Sequence, residues 1–146
     1  MYKPKYYILS ELAHPQIINA IGENNTWRRL DAEVLEDLGY IREEWYFRYR
    51  SGIYCNRLNL SPPIDSRGLR PPNDPDGSFY STHKQGNTFD LEPVNGKIRE
   101  LDNFSRCFIK AGKLKKINTL ENFEDTVKWV HTGYMNTAKK PLIIYL

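Results

Sequence analysis

The chain has 146 residues, of which 27% are charged and 40% hydrophobic, and its 21 Lys and Arg against 18 Asp and Glu give a formal charge of +3. One domain with its own core is expected at this length, and the charge is too small for the strongly basic surface of a nucleic-acid binder. The sequence contains no apolar run of the ~18 residues that a membrane span needs and no apolar core of a secretory signal, so we expect neither membrane association nor ordinary export.

The N-terminal part of the chain has two stretches with the apolar spacing of helices. Residues 15–22 place isoleucines three or four apart, with a proline in the first turn and a glycine at the end. Residues 30–45 continue that spacing over a longer stretch, and Asp31 is placed to cap it. Residues 46–54 are rich in aromatic and β-branched side chains, which predicts a strand.

The rest of the chain predicts one long loop, one helix and several strands. Residues 55–87 contain five of the nine prolines, and a loop of this length inside a compact domain usually carries function. Residues 97–111 have a helical apolar stripe that ends at Gly112. Strands are predicted over residues 88–94, 114–120, 127–132 and 142–146. We therefore expect an α+β fold in which two to three helices pack on a small, mainly antiparallel sheet.

Two of the three histidines lie in settings that suit a metal site. His83 precedes Asp90 by seven residues, and Gly86 between them can turn the chain so that both face one point. His131 follows Trp129 at a spacing that puts both on one face of a strand. Two imidazoles and a carboxylate are the three ligands that leave the fourth tetrahedral position of zinc open to water. The pattern favours a metal site of catalytic form.

The third histidine and the two cysteines are expected to have structural roles. His14 stands before a proline and is expected to begin a helix. Cys55 and Cys107 are too few for a disulfide framework or a cysteine-based zinc site, and we expect both to be reduced thiols. Any metal would therefore be held by histidine and carboxylate.

Several segments resemble one family of peptidases. Residues 81–90, Ser-x-His-x-x-Gly-x-Thr-x-Asp, resemble the Ser-x-His-x-x-Gly-x-Ala-x-Asp signature of the zinc DD-carboxypeptidase-like peptidases, whose fold is shared by hedgehog signalling domains. Residues 64–71 are similar to the family's Ser-Gly-Tyr-Arg segment, and residues 129–131 to the strand that carries its last zinc ligand. Residues 9–12 and 38–43 are similar to small phage and prophage members. The resemblance implies a hedgehog-like α+β fold.

The resemblance also implies roles for individual residues in one peptidase-like domain over residues 1–146. It assigns Zn²⁺ to three ligands: His83, Asp90 and His131. Arg70 matches the family's arginine and is expected to hold the substrate or the developing oxyanion, which a guanidinium can do with two parallel donors. Ser81 and Tyr80 are candidate substrate-binding residues, Tyr80 through its phenol, and Ser81 is not expected to be a nucleophile.

The catalytic base is where the sequence departs from the family. Many members have a glutamate three residues before the last histidine, where this chain has Lys128, and others have an aspartate two residues after it, where this chain has Gly133. Related phage proteins place a glutamate on the preceding strand, which matches Glu121, and hedgehog domains place a carboxylate six residues ahead, which matches Asp125. We rank Glu121 first and Asp125 second as the base, and Glu124 third.

The function that these matches imply is zinc-dependent cleavage of peptidoglycan stem peptides, at a D-alanine-containing or an L-alanyl bond, in the manner of a phage lysin. The alternative is a catalytically weakened module of the same fold that binds zinc and acts in the virion or on the cell wall. A third hypothesis is a metal-free fold whose loop binds a protein. The expected partner is the peptide of peptidoglycan, without nucleic acid or membrane, and the chain is expected to be monomeric. Without a signal peptide, it would stay in the host cytoplasm until release or travel within a virion.

Overall fold

The fold contains five α-helices in the described part of the chain. The computed structural model describes residues 2–76, 81–136 and 142–144, the last segment by its backbone alone. The helices are α1 (Leu9–Leu12), α2 (Pro15–Ile21), α3 (Glu23–Arg29), α4 (Ala32–Tyr49) and α5 (Ile98–Lys110). Within the described residues, a helix with both the length and the apolarity to cross a membrane is not found.

A small five-stranded sheet forms the other half of the fold. Its strands are β1 (Ile53–Tyr54), β2 (Thr88–Pro93), β3 (Thr119–Glu121), β4 (Val130–Gly133) and β5 (Leu142–Ile144). They lie in the order β1-β2-β4-β3-β5, and every pair is antiparallel except β3 with β5. The predicted α+β class with a mainly antiparallel sheet is therefore confirmed.

The predicted helices are found, but the strand prediction for residues 46–54 is wrong at its beginning. Residues 46–49 form the last turn of α4, because Tyr49 continues the buried stripe and packs on Trp45 with ring centroids 4.0 Å apart. The helix ends after Tyr49, at the C-cap residue Arg50, whose φ of 50° is left-handed. Asp31 caps its start as predicted, accepting the backbone N–H groups of residues 33 and 34 at 3.1 and 3.2 Å.

Two short helices, α1 and α3, bring the number of helices above the predicted two to three. Each buries only two side chains, too few for an apolar stripe to stand out in the sequence. In α3 these are Thr26 and Trp27, which are adjacent in the chain instead of one turn apart. Such helices depend on packing against their neighbours more than on their own periodicity.

The predicted strand over residues 114–120 is wrong for its first part. The buried carboxylate of Asp37 accepts the backbone N–H groups of Lys115, Lys116 and Ile117 at 2.7, 2.7 and 2.8 Å. Those donors are used by a side chain from α4 and do not form a strand ladder, so β3 begins at Thr119. The strand predicted over 127–132 also begins late, at residue 130, after a turn. Of the strand predicted over 142–146, residues 145 and 146 lie outside the described part.

The core lies between the sheet and helices α4 and α5. Phe89 and Leu91 of β2 are fully buried, as are Trp45 of α4 and Leu101 of α5. The proline-rich loop bonds to the edge of β2 opposite β4, because backbone N–H groups lie in the plane of the sheet and the N–H of Asp90 donates to the carbonyl of the loop at residue 67, at 2.8 Å. The loop is thereby held beside the strand that carries the predicted aspartate.

Close backbone contact holds the same loop to α1. The backbone N–H of Leu69 donates to the carbonyl of Leu12 at 2.8 Å. A Cβ at Gly68 would lie 2.1 Å from that carbonyl oxygen, so only glycine allows the two backbones to meet. This contact fixes the position of the Gly68 carbonyl beside the sheet.

Candidate metal centre

Strand register places three ionisable side chains in one row across the sheet. Asp90 of β2 pairs with His131 of β4, and Leu120 of β3 pairs with Thr132 of β4. The same register sets Glu121 opposite His131. Because side chains alternate between the two faces of a sheet, Asp90, His131 and Glu121 lie next to one another on the face turned away from the core.

His83 reaches this row from a turn that only glycine can form. The N–H of Gly86 donates to the carbonyl of His83 at 3.2 Å, and the carbonyl of Gly86 accepts the backbone N–H of Asp31 at 3.0 Å. Gly86 has a φ of 76°, and a Cβ there would lie 2.1 Å from the carbonyl oxygen of Arg29. The turn is therefore pressed against the junction of α3 and α4, and this contact holds His83 over the sheet.

The three predicted ligands converge on one point. His83 Nε2 lies 3.4 Å from His131 Nδ1 and 3.5 Å from Asp90 Oδ1, and His131 Nδ1 lies 2.8 Å from Asp90 Oδ1. Four ligands bound tetrahedrally at zinc distances of about 2.0–2.1 Å are about 3.3–3.4 Å apart. Two of the three observed separations are close to that value, and the third is a hydrogen bond. The three donor atoms therefore face one point, and a metal ion there would replace the proton of the hydrogen bond between His131 and Asp90.

Groups around the ligands fix their orientation. His83 Nδ1 is 3.0 Å from the carbonyl oxygen of Gly68 and must donate to it, which leaves the lone pair on Nε2 facing the centre. Arg70 Nη2 donates to Asp90 Oδ2 at 3.3 Å, so Oδ1 is the oxygen that faces the histidines. His83 and Asp90 are 3% and 4% exposed, so the donor set is largely desolvated.

The charge state of Asp90 also suits a metal ligand. Burial alone would raise the pKa of this carboxyl, but the hydrogen bond from His131 and the adjacent His83 imidazole outweigh burial and hold the pKa well below its usual range. Asp90 is therefore a carboxylate at neutral pH, which is the form that binds a metal.

The structure places the three candidates for the base differently. Glu121 Oε1 is 3.8 Å from His131 Nε2, and its side chain is 15% exposed. Asp125 is exposed in a 3-10 turn at Phe123–Asp125, and Glu124 forms an exposed ion pair with Arg99 at 2.9 Å. Of these three candidates, Glu121 is the one that lies beside a ligand of the centre in the contacts found among the described residues.

The remaining predicted residues are distributed around the centre. Arg70 contacts Asp90, as described above. The carbonyl of Ser81 accepts the N–H of Lys84 at 2.9 Å, in the turn that leads to His83. Tyr80 lies outside the described residues. Gly133, at the position of the family's aspartate, approaches β2 so closely that a Cβ would lie 2.3 Å from Thr88 Oγ1, which leaves no room for an acidic side chain.

A cleft of about 570 Å³ opens beside Asp90, and sequence reasoning missed part of its wall. Its lining includes Asp90, Trp129, Arg67, Arg70 and Asp76. The sequence singled out Arg70 and Trp129 but not Arg67, although Arg67 belongs to the same family-like segment. Its side chain pairs with Glu92, which could be recognised only from the fold.

Comparisons with known proteins do not add a family to this description. No protein-family model, curated protein or solved structure matches the chain. The chemistry of the centre is therefore inferred from its own donor atoms and their surroundings.

Proposed function

We propose that this protein is a zinc-dependent peptidase that cleaves peptidoglycan stem peptides and has the hedgehog-like fold of the zinc DD-carboxypeptidases. The observation that carries the proposal is the convergence of His83 Nε2, His131 Nδ1 and Asp90 Oδ1 on one point beside an open cleft. Two imidazole nitrogens and one carboxylate oxygen form a donor set that suits zinc, and three protein ligands are the number typical of catalytic zinc sites.

Zinc bound there would lower the pKa of a water molecule and polarise a substrate carbonyl. The protein contributes orientation through two supporting bonds. The Gly68 carbonyl holds His83 in the tautomer whose Nε2 is free, and Arg70 keeps one oxygen of Asp90 turned toward the histidines. Supporting groups of this kind usually set the geometry and the basicity of metal ligands.

Glu121 is our first candidate for the base. Its carboxylate stands in the same row as His131, at the edge of the centre and partly open to solvent. From there it would take a proton from the attacking water and pass it to the leaving amine. Asp125 is the second candidate, because the segment that contains it connects β3 to β4.

The substrate class rests on the sequence resemblance, and the cleft is compatible with it. A volume of about 570 Å³ is large enough for a short peptide segment beside Asp90. The resemblance allows either a D-alanine-containing bond or an L-alanyl bond to be cleaved.

Two matched variants test the chemistry. We expect the zinc-loaded protein to release new amino groups from purified peptidoglycan, and Glu121→Gln to lower this rate about 100-fold or more while it keeps zinc, because a general base usually contributes that much. Asp125→Asn is the control and should keep both activity and zinc. The opposite pattern would assign the base to Asp125, and an inactive wild type with full zinc would reject the peptidase proposal.

One observation favours a second candidate function, a zinc-stabilised binding or virion module. Lys128 and Gly133 stand where the family has acidic residues, and Gly133 has no space for one. This candidate predicts no turnover by the wild type, together with zinc loss and a lower Tm in His83→Ala. Measured turnover in the wild type would exclude it.

A further inference from the structure

Arg67 is the arginine of the cleft that has unused donors. Among the described residues its guanidinium makes one hydrogen bond, from Nη1 to Glu92 Oε2. The edge formed by Nε and Nη2 has no partner there. The guanidinium lies over the ring of Trp129, 5.9 Å from its centroid, and both side chains line the cleft beside Asp90.

The backbone of Arg67 is held on both sides, and its side chain is held by Glu92 and Trp129. Its N–H donates to Asn56 Oδ1 at 3.0 Å, and its carbonyl accepts the N–H of Asp90 at 2.8 Å. The side chain is 12% exposed, which leaves it in contact with the cleft but largely withdrawn from bulk water. A fixed and partly desolvated guanidinium loses little conformational entropy when it binds an anion.

Arg70, at the position of the family's arginine, uses guanidinium donors that Arg67 leaves without acceptors in the described part of the chain. Its Nε donates to the carbonyl of Ser66, its Nη1 to the carbonyl of Asp76 at 3.3 Å, and its Nη2 to Asp90 at 3.3 Å. All three nitrogens have acceptors, and one of them orients the proposed metal ligand. Arg70 therefore acts as a positioning residue.

Two arginines share one carboxylate beside the cleft. Arg57 and Arg67 share the single carboxylate of Glu92, with an Arg57 Nη1 to Oε1 distance of 3.5 Å. The Nε of Arg57 is buried and has no partner in the described residues. One carboxylate cannot satisfy both guanidinium groups, so donors of Arg57 and Arg67 are left without an acceptor among the described residues.

The carboxylates of Asp65 and Asp76, which also line the cleft, do not bond to the free edge of the Arg67 guanidinium. Asp65 Oδ2 is 3.2 Å from His14 Nε2, and Asp65 Oδ1 accepts a hydrogen bond from Ser66 at 3.2 Å. Asp76 is exposed, and its carboxylate forms no ion pair among the described residues. The free edge of Arg67 therefore remains available to a ligand.

We propose that Arg67 binds a carboxylate group of the substrate through parallel N–H donors on Nε and Nη2, with Trp129 supporting the guanidinium. The inference rests on the proposed peptidase function and makes it more specific. A carboxylate beside Asp90 can be the C-terminal carboxylate of the cleaved peptide, which makes the enzyme a carboxypeptidase, or a carboxylate inside the peptide. Arg67 is then a specificity-determining residue.

The test compares three peptides that differ in one carboxylate. The first has a D-alanyl-D-alanine end with a free carboxylate, the second is its C-terminal amide, and the third has its internal glutamyl carboxylate amidated. We expect wild type to prefer the first over one amidated peptide by about 30-fold or more in kcat/KM, because an arginine–carboxylate pair gives a difference of this size. The peptide that loses activity identifies the carboxylate.

Variants then assign the preference to Arg67. Arg67→Lys keeps a charge for Glu92 but not the two parallel donors, and Arg67→Gln removes the charge; both should lose the preference while activity on the amidated peptide stays within about 3-fold. Arg28→Gln, at an exposed position of α3, is the control and should keep the preference. A combined Arg67→Gln, Glu92→Gln protein covers the case in which the unpaired Glu92 disturbs folding.

The outcomes separate this inference from the proposed function. If wild type cleaves all three peptides equally, or if Arg67→Lys slows all three equally, the carboxylate site is wrong and the peptidase proposal stands. If wild type cleaves neither these peptides nor peptidoglycan, the peptidase proposal fails. In that case, binding of the first peptide, measured by calorimetry, tests the role of Arg67. Binding by wild type that Arg67→Lys abolishes supports the carboxylate site. Equal binding by the two proteins, or no binding by wild type, rejects it.

Discussion

Two histidine–aspartate pairs in this protein have similar contacts, but we propose a metal site for one of them only. His14 Nε2 lies 3.2 Å from Asp65 Oδ2, and His131 Nδ1 lies 2.8 Å from Asp90 Oδ1. In the first pair, His14 begins α2, and its Nδ1 accepts the backbone N–H of Gln16 at 3.1 Å. That lone pair caps a helix, so His14 has no free nitrogen left for a metal.

In the second pair, His131 and Asp90 are joined by a third possible metal ligand, His83. The tautomer of His83 is the opposite of that of His14. The Nδ1 of His83 donates to the Gly68 carbonyl, which leaves the lone pair of Nε2 free and directed at His131 and Asp90. We infer that a histidine–aspartate pair can hold a metal where a third ligand, oriented by its own backbone partner, faces the same point. A carboxylate beside a histidine is not sufficient.

The largest expected effect comes from removing one histidine of each kind. Zinc at 100 to 1,000 times its Kd should stabilise the wild type by about 3–4 kcal/mol, and His83→Ala should lose this gain completely. His14→Ala should keep the gain and lose only about 1 kcal/mol, the cost of a helix cap. Urea unfolding with and without zinc measures both. Equal loss of the zinc effect in the two variants would contradict the comparison.

The next effect concerns the turn that positions His83. Gly86→Ala should lower the free energy of unfolding by about 3 kcal/mol or more and weaken zinc binding, because its Cβ would collide with the Arg29 carbonyl. Gly112→Ala is the matched control: Gly112 also has positive φ, at 65°, but has open space around it. It should cost only about 1 kcal/mol and leave zinc binding unchanged. Similar costs for both would show that the turn does not hold His83.

A smaller effect is expected from the group that orients Asp90. Arg70→Gln removes the donor to Asp90 Oδ2 and should weaken zinc binding about 10- to 100-fold, the usual result of losing a group that supports a metal ligand. Competition with a chromophoric chelator measures the change. Arg28→Gln should have no effect, and an unchanged affinity in Arg70→Gln would remove Arg70 from the description of the centre.

The smallest effect distinguishes the two thiols and needs no mutation. Burial raises the pKa of the Cys55 thiol and screens it from reagents, whereas Cys107 is exposed. A thiol reagent should modify Cys107 rapidly and Cys55 only when the protein unfolds. Rapid modification of both thiols in the native protein would contradict the buried position given to Cys55.

Sequence reasoning grouped His83, Asp90 and His131 on two grounds, local features and the resemblance to the zinc peptidases, and the structure places the three side chains together. Gly86 between His83 and Asp90 indicates a turn, and strand alternation places His131 on a defined face. Glu121 was expected to reach this site across neighbouring strands, and the register sets it opposite His131. The convergence itself depends on the pairing of β2 with β4 and on the contact of Gly86 with the Arg29 carbonyl, which join distant parts of the chain.

The features that the sequence did not predict depend on contacts between distant residues. The backbone of residues 115–117 bonds to Asp37 of α4, so a β-like stretch is not a strand. The different roles of Arg67 and Arg70 follow from their acceptors, because Arg67 has Glu92 and Arg70 has two loop carbonyls and Asp90. Such partners are set by the fold and leave no periodic signal in the chain.

The most direct test of the central claim is the metal content and the coordination of protein purified without added metal. Elemental analysis should find about one zinc per chain in the wild type, and X-ray absorption should find only nitrogen and oxygen ligands at about 2.0–2.1 Å. His83→Ala should be almost free of zinc, and His14→Ala should match the wild type. Wild-type protein without zinc, or zinc with sulfur ligands, would contradict a centre built from His83, Asp90 and His131.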